Sequence, residues 1–170
     1  MDKIRDEPKD SRVTMTKVSE RPRNAQVLLV EDNRGDAVLT RRAFRRAKMP
    51  NDIVVAETGE MGLSILRREG EHADAPRPDI ILLDLNLPFM HGQDFLATVK
   101  EDPNLRRIPV IILSSSSAER DITACYNRHA NGYITKPVTT ETYDDIVERI
   151  ESYWFGLMQL PPDEMAPQFS

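Results

Sequence analysis

The segment 80–92 restricts this chain most: Ile-Ile-Leu-Leu-Asp84-Leu-Asn86-Leu-Pro88-Phe-Met-His-Gly92. Four consecutive aliphatic residues, bounded in front by Arg77-Pro78-Asp79, make too short a run for a buried helix. They predict a strand covered on both faces, as in the interior of a parallel sheet. Asp84 then stands at the carboxyl end of a buried strand, the edge where open α/β sheets bind ligands.

The same pattern recurs along the chain. Val27-Leu28-Leu29-Val30 ends in Glu31-Asp32 and predicts a first strand over 26–30. Further strands are expected over 52–57, 79–84, 108–113 and 132–135. The third ends at Asp84, the fourth runs into Ser114 to Ser117, and the fifth meets Lys136-Pro137. Between them lie helical patterns. The first, to about Ala47, can be capped by Asn33 or Asp36. The second opens at Thr58-Gly59, the third covers 92–101 and the fourth 118–128. A last helix, capped by Thr139 or Thr140, runs to about Met158. Five strands alternating with five helices, with no internal repeat, predict an α/β fold with one parallel sheet and helices on both faces. The flavodoxin-like strand order 2-1-3-4-5 fits, because it sets the ends of strands one and three side by side.

Composition bounds the rest. A chain of 170 residues, 39% hydrophobic and 30% charged, suits one domain with tails. A net charge of -5 argues against bulk nucleic-acid binding. The single Cys125 excludes an intrachain disulfide and a multi-cysteine metal site, and it fits a reducing compartment. There is no apolar leader and no run of about 18 apolar residues, so a cytoplasmic protein with no membrane association is expected. Residues 1–24 carry seven Lys or Arg and five Asp or Glu with almost no core-forming residues, and read as a disordered arm. Residues 25–158 form the domain and 159–170 a tail. Nothing after the last helix is long enough for an output domain. The arginines Arg41, Arg42, Arg45 and Arg46 read as a solvated face of the first helix, with docking of an acidic partner as the alternative.

The strand ends therefore collect Glu31, Asp32, Asp84, Ser114 and Lys136 at one edge. Each residue has an ordinary reading alone: an acidic pair at a helix start, a turn serine, a solvated lysine. Together they describe one chemistry. Clustered carboxylates repel one another and call for a hard cation. Mg²⁺ prefers oxygen ligands and is commonly held by one or two carboxylates plus a phosphate, and Mn²⁺ is an alternative. Lys136 supplies a second positive charge and Ser114 a hydroxyl donor for a phosphoryl group. Asp84 is the natural nucleophile, forming an aspartyl-phosphate.

The acidic pair Glu31-Asp32, the run Asp84-x-x-x-Pro88-x-x-x-Gly92, the hydroxyl of Ser114 and Lys136-Pro137 resemble the receiver domain of two-component response regulators, over about residues 25–152. The resemblance implies that Asp84 takes a phosphoryl group from a phosphohistidine on a sensor histidine kinase. It implies Mg²⁺ held by Asp32, Asp84, the Asn86 carbonyl and, through water, Glu31. It implies that Lys136 pairs with the phosphoryl group, that Ser114 moves to bond it, and that Tyr133 changes rotamer. Asn86 and Ser116 flank the site and would set the phosphoryl lifetime. His91 stands where many receivers have Asp and is given no role. Val30-Glu31-Asp32-Asn33, Asp84-Leu-Asn-Leu-Pro88 and the Tyr153-Trp154-Phe155 end resemble stand-alone regulators paired with bacterial phytochromes. Output would then pass through the domain's own surface. Ile146, Ile150, Trp154 and Leu157 form one stripe on the last helix. A continuous helix of that length would overhang the sheet and expose Trp154-Phe155 as an interaction patch, and the resemblance implies a homodimer through helix four, strand five and the last helix. The alternative folds those aromatics back onto the core. An enzyme reading, a Mg²⁺-dependent phosphohydrolase with an Asp nucleophile, fits less well: Asn86 stands where a second Asp would act as acid-base, and no insertion builds a substrate pocket.

Overall fold

In the computed structural model, which describes residues 23–137, 140–157 and 160–161, five strands alternate with five helices. The strands are β1 (Ala25–Val30), β2 (Asn51–Ala56), β3 (Ile80–Leu83), β4 (Val110–Ser114) and β5 (Gly132–Thr135). The helices are α1 (Arg34–Arg46), α2 (Gly59–Arg67), α3 (Gly92–Glu101), α4 (Glu119–Asn127) and α5 (Thr140–Ile150). A 3-10 turn, Gly70–His72, follows α2. All strand pairs are parallel, in the order β2-β1-β3-β4-β5. This is the flavodoxin-like strand order expected from the sequence. No described helix is long and apolar enough to cross a membrane. Residues 1–22 and 162–170, and with them nearly all of the expected arm and tail, lie outside the described residues. So does Thr139, one of the two expected caps of α5.

The central strands are almost wholly apolar because both faces are covered. In β1, Leu28 and Val30 point to a cluster with Leu63, Phe95, Leu96, Val99 and Cys125, beneath α2, α3 and α4. Val27 and Leu29 point the other way, to Ala43, Phe44, Tyr143 and Val147 of α1 and α5. This alternation is the period-two geometry of a strand. The edge strand β2 has only one covered face: Ile53 and Val55 pack while Asp52 and Val54 are exposed.

Helix starts follow capping chemistry. Asn33 caps α1 by accepting from the Asp36 N–H at 3.0 Å, and Thr58 caps α2 from the Met61 N–H at 3.1 Å. At the start of α3, Gly92 lies so close to the third strand's exit that a Cβ there would overlap the Asp84 carbonyl oxygen and Leu85 Cα.

The last helix differs from expectation. It is α-helical only to Ile150, and residues Glu151–Leu157 wind as a π-helix. The wider turn changes the angular phase of the side chains that follow it. The Glu151 carboxylate accepts from the backbone N–H groups of Lys48 and Met49, between α1 and β2. Arg46 of α1 and Asp144 of α5 pair at 2.8 Å. The segment is thus held against the domain. Ile150 is buried, and Ile146, Trp154 and Phe155 pack half-buried against the α1–α5 core cluster. The expected overhang with Trp154-Phe155 exposed is corrected accordingly, and of the stripe Ile146, Ile150, Trp154 and Leu157 the side chain of Leu157 lies outside the described residues. The exposed aromatic here is Tyr153, which meets the Trp154 ring edge-on at 5.4 Å.

Candidate metal and phosphoryl site

Strand register brings the site together. Val30 pairs with Leu83, so Glu31 and Asp84 leave adjacent strands side by side. The Asp84 N–H donates to the Val30 carbonyl at 3.0 Å, extending the ladder to the acid itself. Ser114 pairs with Thr135, and the Lys136 N–H donates to the Ser114 carbonyl at 2.7 Å. The residues expected at one edge are at one edge.

Lys136 is the hub. Its Nζ lies 2.7 Å from Glu31 Oε2, 2.9 Å from Asp36 Oδ2 and 3.2 Å from Asp84 Oδ2. Three ammonium protons meet three carboxylates, and no buried side-chain polar atom among the described residues lacks a partner. Glu31, Asp84 and Ser114 are buried, whereas Asp32 is exposed at the rim.

Ligand atoms of Glu31, Asp32 and Asp84 lie within 4.8 Å of one another. An octahedral Mg²⁺ with bonds of about 2.1 Å holds opposed oxygens about 4.2 Å apart, so small side-chain adjustments suffice to close on it. The charge also fits. Glu31, Asp32, Asp36 and Asp84 face one ammonium, so full ionisation leaves excess negative charge that a divalent cation offsets. Both Glu31 oxygens are engaged, Oε2 with Lys136 and Oε1 accepting from the Asn33 N–H at 3.0 Å. Asp84 is engaged in the same way, its Oδ2 with Lys136. Asn86 is exposed beside them, and its N–H donates to Asp84 Oδ1 at 3.2 Å.

The electrostatics follow from this crowding. Burial pushes the Glu31 carboxyl up to about 7; the Lys136 bond opposes the rise and the Asp84 charge adds to it. Burial pulls Lys136 down, but its bonds to Glu31 and Asp36 more than offset that and hold the ammonium above its ordinary value. Tyr143, buried on α5 and bonded to Asp36, is pushed up to about 12, first by burial and then by the acids near it.

The β4–α4 loop carries the hydroxyl group. Ser114 Oγ accepts from the Ser116 N–H at 3.2 Å. Ser116 Oγ donates to Asp121 Oδ2 at 2.5 Å, and the Tyr133 hydroxyl donates to the Ser116 carbonyl at 2.7 Å. Tyr133 is therefore turned inward, latched to the loop that holds Ser114. Asn86 and Ser116 line a cleft of about 280 Å³ together with His91 and Asp121, which opens beside Asp84.

Two participants escaped the sequence reading. Asp36 was weighed only as a cap, yet it is the third carboxylate on Lys136. Once Asn33 is the cap, Asp36 falls in the first helical turn directly after β1, which is the signal that could have placed it. Asp121 holds the same rank in α4, three residues after Ala118, and receives the Ser116 hydroxyl.

A family model described as the response regulator receiver domain matches residues 27–151. Response regulator Rcp1 of Synechocystis sp. is 37% identical over 135 residues, covering 79% of this chain and 92% of Rcp1. The crystal structure of the phosphorylated cyanobacterial phytochrome response regulator RcpA superposes with a TM-score of 0.79 at 43% identity, over 82% of this chain and 100% of RcpA. The Mn²⁺-bound form of Rcp1 gives 0.76 at 36% identity, over 81% and 99%.

Proposed function

Because this chain belongs to the response regulator receiver domain family, we propose that it is a phosphoryl-accepting signalling module with Asp84 as the acceptor. The observation that carries this reading is the ammonium of Lys136 set among Asp84, Glu31 and Asp36 at a strand edge where Asp32 adds a fourth acid. Such an edge is built to neutralise charge, which is most of what phosphoryl transfer requires.

An oxygen of Asp84 attacks the phosphorus of a phosphohistidine on a sensor kinase. The N–P bond breaks and the imidazole leaves with the bonding pair. Mg²⁺, or Mn²⁺, held by Asp32, Asp84, the Asn86 carbonyl and, through water, Glu31, would neutralise the phosphoryl oxygens. Lys136 keeps a positive charge on the opposite side of the same group. Ser114 is positioned to turn its hydroxyl towards a phosphoryl oxygen, giving up the Ser116 N–H it now accepts. That change reaches Tyr133, whose hydroxyl is tied to the Ser116 carbonyl. Asn86 and Ser116, at the cleft, set how readily water reaches the acyl phosphate.

The phytochrome names of RcpA and of related regulators support a phytochrome-type histidine kinase as the donor, and the cytoplasm is the proposed location. Output falls on the α4–β5–α5 face, where Tyr126 and Tyr153 are each about half exposed, and a homodimer through that face is the proposed assembly. Ile150, Trp154 and Phe155 would support such an interface from beneath.

The test is phosphorylation with a phosphoramidate donor and Mg²⁺. Wild type should take up close to one base-labile, hydroxylamine-sensitive phosphoryl group per chain, and Asp84→Asn none. Uptake by Asp84→Asn at the wild-type level would refute the assignment, and continuous release of many phosphates per chain would favour a phosphohydrolase.

A further inference from the structure

Helix α1 carries five arginines, and the fold uses only some of them. Arg46 pairs with Asp144 at 2.8 Å, and Arg34 comes to 4.0 Å from Glu57. Arg41, Arg42 and Arg45 are exposed and make no hydrogen bond or ion pair among the described residues. Arg41 and Arg45, one helical turn apart, line a groove of about 500 Å³ between α1 and the start of β2. Phe44, Met49 and Ile53 give the groove apolar lining. The acid in its lining, Asp52, is already engaged. It accepts from the side-chain amides of Asn24 at 3.4 Å and Gln26 at 2.9 Å.

The other side of the groove is an open sheet edge, because β2 is the outer strand. The Pro50 and Ala56 carbonyls accept from the N–H groups of Ala25 and Glu31, so the backbone of the even-numbered residues faces β1. The N–H and C=O groups of Asn51, Ile53 and Val55 therefore point away from the sheet, with no strand beyond them among the described residues. Such an edge accepts an added strand, which presents alternate side chains on one face about 6.6 Å apart. Arg41 and Arg45 lie about 6 Å apart along α1, close to that spacing. We infer that this groove docks an extended segment of a partner protein that carries two acids with one residue between them. Its backbone adds to β2, and its carboxylates reach Arg41 and Arg45, whose guanidinium forks match carboxylate geometry. Nucleic acid and an anionic membrane offer negative charge but no alternating N–H and C=O groups for the strand edge, and the net charge of -5 opposes both. The groove flanks the start of β2, at the edge of the sheet away from the acceptor Asp84.

The experiment titrates the full chain with a short synthetic peptide centred on Glu-Val-Glu and follows backbone amide and arginine Nε resonances by NMR. The dissociation constant should lie below about 1 mM, with shifts at Asn51, Ile53 and Val55 and at the Nε groups of Arg41 and Arg45. The Ile53 and Val55 amide protons should exchange more slowly in the complex. Arg41→Gln with Arg45→Gln, both on the exposed face of α1, should weaken binding about tenfold. A Gln-Val-Gln peptide should bind wild type as weakly, and methylating alternate backbone nitrogens of the acidic peptide should abolish the β2 shifts. No shift at millimolar peptide would overturn the inference, as would full affinity in the double variant or arginine shifts that leave the β2 amides unmoved. If duplex DNA or phosphatidylserine vesicles move Arg41 and Arg45 where the peptide does not, the face belongs to a polyanion and the inference is overturned.

Discussion

Lys136 Nζ sits closer to Glu31, at 2.7 Å, than to the proposed acceptor Asp84, at 3.2 Å. The ammonium is therefore anchored mainly by carboxylates that do not react. Asp36 supplies the second anchor at 2.9 Å. This leaves Asp84 the most weakly held of the three, so taking on a phosphoryl group does not require Lys136 to leave its place.

Removing that ammonium should be costly. Glu31 and Asp84 would remain buried with no cation between them, and breaking a buried pair from one side costs about 3 kcal/mol or more. Lys136→Met should therefore lose on that order of stability in urea unfolding without divalent metal. Millimolar Mg²⁺ should restore part of it. An unchanged midpoint in EDTA would contradict the hub role.

Glu31 sets a pH dependence in metal-free protein. Its folded value, about 7, lies above the ordinary 4.5. Between those values the folded state holds more protons than the unfolded chain, so stability falls as pH rises from about 4.5 through 7. The contribution is fully present below the unfolded value and lost through the folded one, and amounts to on the order of 3 kcal/mol. Unfolding measured at pH 5, 6, 7 and 8 in EDTA should show this slope, and Glu31→Gln should flatten it.

Gly92 should tolerate no side chain. A Cβ there meets backbone at Asp84 and Leu85, which cannot rotate away as a side chain could. Gly92→Ala should lose about 2 kcal/mol or more, typical of severe overpacking, and should displace the loop that carries Asp84. Both effects are read by denaturation and by loss of beryllium fluoride binding.

Phe89 combines two unfavourable features. Its φ is +65°, in the left-handed region, and its side chain is 92% exposed. A non-glycine residue pays about 1 kcal/mol there, and Asn tolerates the region best among side chains. Phe89→Asn should raise the unfolding free energy by up to about 1 kcal/mol. A fall in the melting temperature would show that the ring makes contacts worth more than the strain.

Much of the molecule was legible because its signals are local. An aliphatic run of four to six residues means a strand covered on both faces, and an acid or lysine at its end cannot continue into the core. That logic located Glu31, Asp84 and Lys136 and gave the strand order that brings them together. Asn33 was legible as a cap for the same reason: its partner, the Asp36 N–H, is three residues away.

What the sequence by itself determined is the periodicity, and hence which residues are buried and at which strand ends polar groups collect. Tertiary structure alone decided how those groups share partners. Asp36 reaches Lys136 across 100 positions, and only the folding of the start of α1 and the exit of β5 onto one edge of the sheet brings them within hydrogen-bonding range. The carboxyl end of α5 was settled in the same way. Its stripe of apolar residues reads as one continuous helix, but Glu151 finds the unpaired N–H groups of Lys48 and Met49. Satisfying those donors, and packing Trp154 and Phe155 against the α1–α5 core cluster, goes with a π turn that no local pattern announces. Periodicity is a property of neighbours along the chain, whereas hydrogen-bond satisfaction and burial are settled between elements distant in sequence.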